Sequence, residues 1–125
     1  LWIAWREIGD AGWAEMVDRY CELGDYLQAA VQSHPKLEMM SDRRWSNICF
    51  RYVVEGHDLN ELNAELRARL IREGIHLVSR SNILDDVVIR AVVANPLVDE
   101  SVLNGLVGAI VRHGDEIVAG VPAQF

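Results

Sequence analysis

Val87-Val88-Ile89-Arg90-Ala91-Val92-Val93 is almost wholly β-branched and stops at Ala94-Asn95-Pro96, the pattern of a strand closed by a turn. Side chains alternate along a strand, so Val87, Ile89, Ala91 and Val93 point to one side and Val88, Arg90 and Val92 to the other. A guanidinium therefore stands between two valines. Just upstream, Asp85-Asp86 tolerate left-handed backbone better than β-branched residues do, and Leu77 to Ser81 is a second β-compatible run. The two runs are predicted to form a hairpin turned around Asp85-Asp86.

On the carboxy-terminal side, Asp99 and Glu100 favour a helix start. Val102, Leu103, Leu106, Val107, Ile110 and Val111 give that helix an apolar face, and Arg112, His113 and Gly114 are expected to close it. On the amino-terminal side, Asp58-Leu59-Asn60-Glu61 has the form of a capping box, followed by Leu62, Leu66 and Leu70 at helical spacing and by Gly74. Further back, Leu37 to Met40 and Ile48 to Val54 read as strands joined through the polar Ser41 to Ser46. Trp13, Val17, Tyr20, Leu23, Leu27 and Val31 mark a long first helix, which His34-Pro35 ends by withholding an amide. Gly9 and Gly12 separate it from an apolar turn or two carrying Trp2, Ile3 and Trp5, so a two-piece helical start is expected. The order is helix, strand, strand, helix, strand, strand, helix, with only the last few residues expected to fray. It implies an α+β fold: a mainly antiparallel sheet of about four strands with helices on one face, and another face that needs a cover.

A chain of 125 residues, 50% hydrophobic and 25% charged, suits one globular domain with a single core. Its net charge of -7 and pI near 5.0 disfavour nucleic-acid and membrane-surface partners. Arg6, Asp10, Arg90 and Arg112 interrupt the apolar stretches before any reaches the roughly 20 residues that span a bilayer. Cys21 and Cys49 lack CxxC spacing and a nearby histidine pair, so reduced thiols in the cytoplasm are expected rather than a metal or disulfide site. Leu1 to Trp5 has neither an initiator methionine nor a basic leader, which suggests the interior of a longer chain.

Burying an isolated guanidinium costs several kcal/mol, so Arg90 needs an anion, and a carboxylate matches its planar fork. The residues alone favour an internal glutamate or aspartate over a ligand as that anion. Arg51 sits comparably among Cys49, Phe50, Tyr52 and Val53, with apolar neighbours that leave its face undecided and a structural role favoured. Lys36, the chain's one lysine, follows His34-Pro35 in a loop without a phosphate-cradling glycine or serine cluster, and reads as a solvated charge rather than an imine-forming amine. His57, His76 and His113 show no metal spacing. Asp85 and Asp86 are adjacent turn residues, better read as solvated than as an acid and base pair. Trp2, Trp5, Trp13 and Trp45 suit core or interface packing, with contact to a further domain preferred.

In order along the chain stand Leu1-Trp2-Ile3-Ala4-Trp5, Gly9-Asp10-Ala11-Gly12, Asn47-Ile48-Cys49-Phe50-Arg51-Tyr52-Val53, Leu59-Asn60, Gly74 and Ile89-Arg90-Ala91-Val92-Val93-Ala94-Asn95-Pro96. Together they resemble the group II pyridoxal-phosphate-dependent decarboxylases, which act on glutamate, aromatic amino acids, cysteine sulfinate and diaminobutyrate. The resemblance covers nearly the whole chain and implies the carboxy-terminal small domain of a fold-type I enzyme. Residues 1–12 would then be a helical connection from a large domain and 13–125 the small domain. The large domain would supply the cofactor lysine, the aspartate under the pyridine nitrogen, the stacking histidine and most phosphate contacts, none of which has a motif here. No catalytic, cofactor-binding or metal-binding residue is therefore expected in this chain, which alone should be inactive. The full-length enzyme, expected to be a cytoplasmic homodimer, would act on an amino-acid substrate in amino-acid and carboxylic acid metabolism.

Arg90 matches the family arginine that meets the substrate carboxylate in the cleft between domains. Such a group helps because carbon dioxide leaves fastest when its bond stands perpendicular to the cofactor's conjugated system, an orientation that a bidentate clamp can fix. The chain departs from the family pattern at Asp85-Asp86, where glycine is common, and at Val98-Asp99, where a threonine-rich helix start is usual. Acidic residues near the cleft would disfavour acidic substrates. Two other readings stay open: the small domain of another fold-type I enzyme, such as an aminotransferase or cysteine desulfurase, and a stand-alone α+β binding or dimerisation module.

Overall fold

The computed structural model describes residues 1–123; Gln124 and Phe125, part of the end expected to fray, lie outside the described residues. Seven elements follow in the expected order: α1 (Trp2–Ser33), β1 (Leu37–Met39), β2 (Asn47–Tyr52), α2 (Leu59–Glu73), β3 (Ser79–Ile83), β4 (Asp86–Val92) and α3 (Glu100–Val118). The four strands form one antiparallel sheet in the order β1-β2-β4-β3. Leu27 and Val31 of α1, Leu66 and Leu70 of α2 and Ile110 of α3 pack with Ile48, Phe50, Tyr52, Ile89 and Ala91 of the sheet in one buried core. All three helices thus cover one face, the α+β arrangement that the alternation of strand residues implies.

The two-piece start of α1 has a local cause. Gly9 adopts φ 72°, ψ 170° and breaks the helix, and the break is bracketed by Trp5, which stacks on Trp13 at 5.2 Å between ring centroids. The Trp5 indole N–H also donates to Asp10 at 2.6 Å. Trp2 and Ile3, on the short amino-terminal piece, remain 72% and 80% exposed.

Helix α2 is capped as expected at its start, where the Asp58 carboxylate accepts from the backbone N–H groups of Asn60 and Glu61, and at its end, where Gly74 is left-handed. Two asparagines of its first turns dock it to the sheet. The buried Asn63 accepts from the N–H of Tyr52 at 2.8 Å and donates to the Tyr52 carbonyl at 2.9 Å and to Leu59 O at 2.8 Å. Asn60 accepts from the N–H of Val87 at 2.7 Å and donates to Asp85 O at 2.9 Å. The β2–β4 register runs from Asn47↔Val92 to Phe50↔Ile89. Beyond it, side-chain amides satisfy the backbone groups of Tyr52 and Val87.

The structure corrects two local expectations. The hairpin turns at Leu84-Asp85, because Ile83 pairs with Asp86 and brings Asp86 into the strand; the left-handed residue is Leu84 (φ 54°), not an aspartate. A two-residue hairpin loop needs positive φ at its first position, and that requirement overrides residue preference. Helix α3 does not close at Arg112-His113-Gly114 but runs on to Val118. Gly114 is a close-approach glycine rather than a terminator: a Cβ there would overlap the ring of Tyr52.

Two substitutions test this packing. Asn63→Leu strands the backbone groups of Tyr52 in the core, so urea denaturation should show a loss on the order of 2 to 4 kcal/mol. Gly114→Ala should cost about 1 to 3 kcal/mol through overpacking although alanine is the better helix former, and a gain in urea midpoint would overturn the close-approach role.

Candidate functional site

Residues alternating with the core set on β2 and β4 point away from the helices. Arg90 lies on this open face, paired across the sheet with Cys49 of β2 and Ser79 of β3. Its side chain is half-buried, and its Nε is buried without a hydrogen-bond partner. Among the described residues no carboxylate pairs with Arg90, so the internal acid favoured by the residues alone is not there.

Arg51 shares the open face and has the opposite fate. It bonds Glu38 on β1, its cross-strand partner, at 2.9 Å, and Asp86 on β4 at 3.0 Å. Its side chain is only 16% exposed, which suits a doubly paired guanidinium. Asp86, expected as a solvated turn residue, is thus an ion-pair partner in a strand, while Asp85 stays exposed at the turn. Asp86, the acid that β4 carries on the same face as Arg90, is taken by Arg51.

Lys36 is not a free solvated charge. Its ammonium pairs with Asp115 of α3 at 2.6 Å, and Asp115 also accepts from the Tyr52 hydroxyl at 2.5 Å. The hydrogen bonds from Lys36 and then Tyr52 hold the Asp115 carboxyl below its ordinary range. Burial, with that acceptor beside it, pushes the Tyr52 phenol well above its usual value. Lys36 is tied to the helix layer, whereas Arg90 lies on the other face.

A second charged cluster, not anticipated from the sequence, sits where the end of α2 meets α3. His113 is 9% exposed at its side chain, with Nε2 3.1 Å from Glu73 and Nδ1 3.0 Å from Glu116. Arg112 also reaches both carboxylates, and the equally buried Arg69 bonds Glu65 at 3.1 Å and the carbonyl of Val121 at 2.9 Å. Burial works to raise the Glu73 and Glu65 carboxyls, but hydrogen bonds from His113 and Arg112 on Glu73, and from Arg69 and Arg72 on Glu65, outweigh it and hold both below the ordinary range. The i,i+3 and i,i+4 pairs His113–Glu116, Arg112–Glu116 and Arg69–Glu65 are legible in a helical sequence. The link from Glu73 to α3 is tertiary and is not.

Among the described residues no group of three or more histidine, cysteine, aspartate or glutamate side chains could hold a metal, and Cys21 and Cys49 are free thiols. No helix among them is long and apolar enough to cross a membrane.

Residues 1–53 match the family model described as the pyridoxal-dependent decarboxylase conserved domain. Solved structures share the fold across nearly the whole chain. One is the glutamate decarboxylase domain of diaminobutyrate-pyruvate transaminase and L-2,4-diaminobutyrate decarboxylase from Vibrio parahaemolyticus, with TM-score 0.85, 20% identity, and coverage of 92% of this chain and 25% of that one. Catharanthus roseus tryptophan decarboxylase in complex with L-tryptophan gives 0.83, 20%, 92% and 24% in the same order. Rhodiola rosea 4-hydroxyphenylacetaldehyde synthase gives 0.84, 22%, 94% and 26%. The chain therefore spans about a quarter of the length of these relatives.

The paired carboxylates set the acid stability of the fold. Asp115, Glu65 and Glu73 have folded values below their unfolded ones, so their contribution is complete above the unfolded range and is lost as pH falls through the folded values. The urea midpoint should therefore drop between about pH 6 and about pH 3. Asp115→Asn should be less stable than the parent at the upper end and show a shallower drop; parallel curves would remove Asp115 from this account.

Proposed function

We propose that this chain is the carboxy-terminal small domain of a pyridoxal-phosphate-dependent amino-acid decarboxylase, with residues 1–12 the helical connection from a large domain and 13–125 the small domain. The observation that carries the reading is Arg90: a guanidinium on the sheet face opposite the helices, its Nε buried and unpartnered among the described residues, while the neighbouring Arg51 has two carboxylates. The family match over residues 1–53 and the fold shared with decarboxylases support it.

The residues present do not fit a cofactor site of their own. The one lysine is engaged by Asp115 in the helix layer, and no second amine accompanies Arg90. Pyridoxal phosphate would be held by polypeptide outside this chain, and the isolated chain would be inactive. This chain would bring the carboxylate clamp and close one wall of the cleft.

The clamp is a matter of binding and orientation. A guanidinium offers only donors, so Arg90 would donate hydrogen bonds without exchanging a proton with the substrate. A substrate carboxylate would supply the anion that the described residues lack and fix the direction of its bond to the α-carbon. Asp86 would not reach that substrate as a free charge, since Arg51 neutralises it; the expected bias against acidic substrates is correspondingly weak. The exposed Trp2 and Ile3 suit contact with a large domain, and the full-length enzyme would be a cytoplasmic homodimer acting on an amino acid.

In the full-length enzyme, Arg90→Ala should weaken binding of the amino acid by on the order of 2 to 5 kcal/mol, with Arg90→Lys intermediate. An analogue of the substrate lacking the carboxylate should bind parent and variants alike. Unchanged KM and kcat in Arg90→Ala would remove the residue from the site, and keto acid in place of amine product would move the enzyme to the aminotransferases.

A further inference from the structure

The cluster around His113 lines a cleft of about 390 Å³ whose far wall is the chain after α3, Val121 to Ala123. This cleft lies in the helix layer, apart from Arg90. Both ring nitrogens of His113 face carboxylate oxygens, at 3.1 Å and 3.0 Å. A neutral imidazole carries one N–H and can donate to only one of them; the other carboxylate would meet a lone pair. With the ring buried, water cannot readily take over the lost contact.

We infer that His113 is a protonation-dependent clasp: as imidazolium it joins the end of α2 to α3 and keeps residues 120–123 against the cleft, and as neutral imidazole it releases them.

The geometry assigns which bond breaks. Glu73 keeps Arg112 at 2.5 Å and can keep the remaining ring N–H, whereas the other donors near Glu116 are more distant, Arg112 at 3.4 Å and Arg69 at 3.8 Å. Glu116 is therefore the carboxylate that turns away. Its departure reaches the tail through Arg69. Arg69, whose Nη1 is buried beyond hydrogen-bond reach of Glu116, loses its nearby countercharge on that side while its Nη2 holds the carbonyl of Val121. The backbone carbonyl of Glu116 itself accepts from the N–H of Val121 at 2.8 Å.

The charged groups facing the ring are Glu73 and Arg69 with Glu65 and Arg72 behind them on α2, and Arg112 and Glu116 on α3; residues 120–123 bring none. Three guanidinium groups meet three carboxylates, so ring protonation changes the cluster from balanced to singly positive. The clasp is closed where the ring carries both N–H groups and open where it carries one.

Hydrogen exchange of the full-length polypeptide, corrected for intrinsic rates, tests this at the amides of Gly120 and Val121. Their protection factors should fall about tenfold or more between about pH 5.5 and about pH 8, the size expected for loss of a hydrogen bond to a charged group. In His113→Gln, which cannot protonate, protection should be low at both values with no step. Equal protection in the parent at the two values, or a step that survives in the variant, overturns the clasp. Should His113→Gln not fold, Glu116→Gln decides: its carboxamide N–H can serve the neutral ring, so the step should vanish with protection retained at the higher pH, and a persisting step overturns the inference.

Discussion

The docking of α2 through Asn63 and Asn60 is the constraint on which the sheet's two faces depend. Antiparallel strands normally satisfy each other's backbone groups, but β2 and β4 part beyond Phe50↔Ile89, and two side-chain amides take up Tyr52 and Val87 instead. A buried asparagine in a helix is tolerable only if its donors and acceptor are engaged, and Asn63 engages all of them on backbone. Because the amides come from one helix, they fix its position over the sheet. The apolar stripe of Leu62, Leu66 and Leu70 then falls on the core side.

The same parting is bridged on the opposite face by charge. Arg51 spans from Glu38 on β1 to Asp86 on β4, across the strand end where the β2–β4 ladder has stopped. This bridge decides the electrostatics of the open face. Asp86 is committed to Arg51, and no carboxylate among the described residues pairs with Arg90, though the chain carries a net charge of -7. The unpaired guanidinium follows from where the acids are placed, not from a shortage of them.

Much of this was legible in the sequence because it is periodic. The alternation around Arg90, the leucine stripe after Asp58 and the glycine break before Trp13 each encode a face or a boundary, and the element order follows. The failures share another cause: Gly114 reads as a helix end, but its meaning lies in the Tyr52 ring from a strand far away in the chain. Leu84 is unsuited to a left-handed turn, yet strand register places it there. The partners of Arg51, Lys36 and His113 likewise come from other elements, so local spacing could mark those side chains as costly to bury but could not say which would find a counter-ion. For Arg90, composition pointed to an internal acid; the structure has none among the described residues, and the family resemblance had argued for an external one.

Set side by side, Arg90 and His113 are two cationic or potentially cationic groups handled in opposite ways. His113 has a carboxylate at each ring nitrogen, and the cost of its burial is offset inside the chain. Arg90 has a buried Nε with no acceptor, a deficit that a fold selected only for stability could remove by placing a carboxylate opposite, at Cys49 or Ser79. Leaving that deficit on the face opposite the helices is unfavourable for the isolated fold; under the proposed clamp it would favour an incoming carboxylate, since desolvation already incurred by the guanidinium would not be repeated. In that proposal, the affinity of the site would come from the acid that is missing.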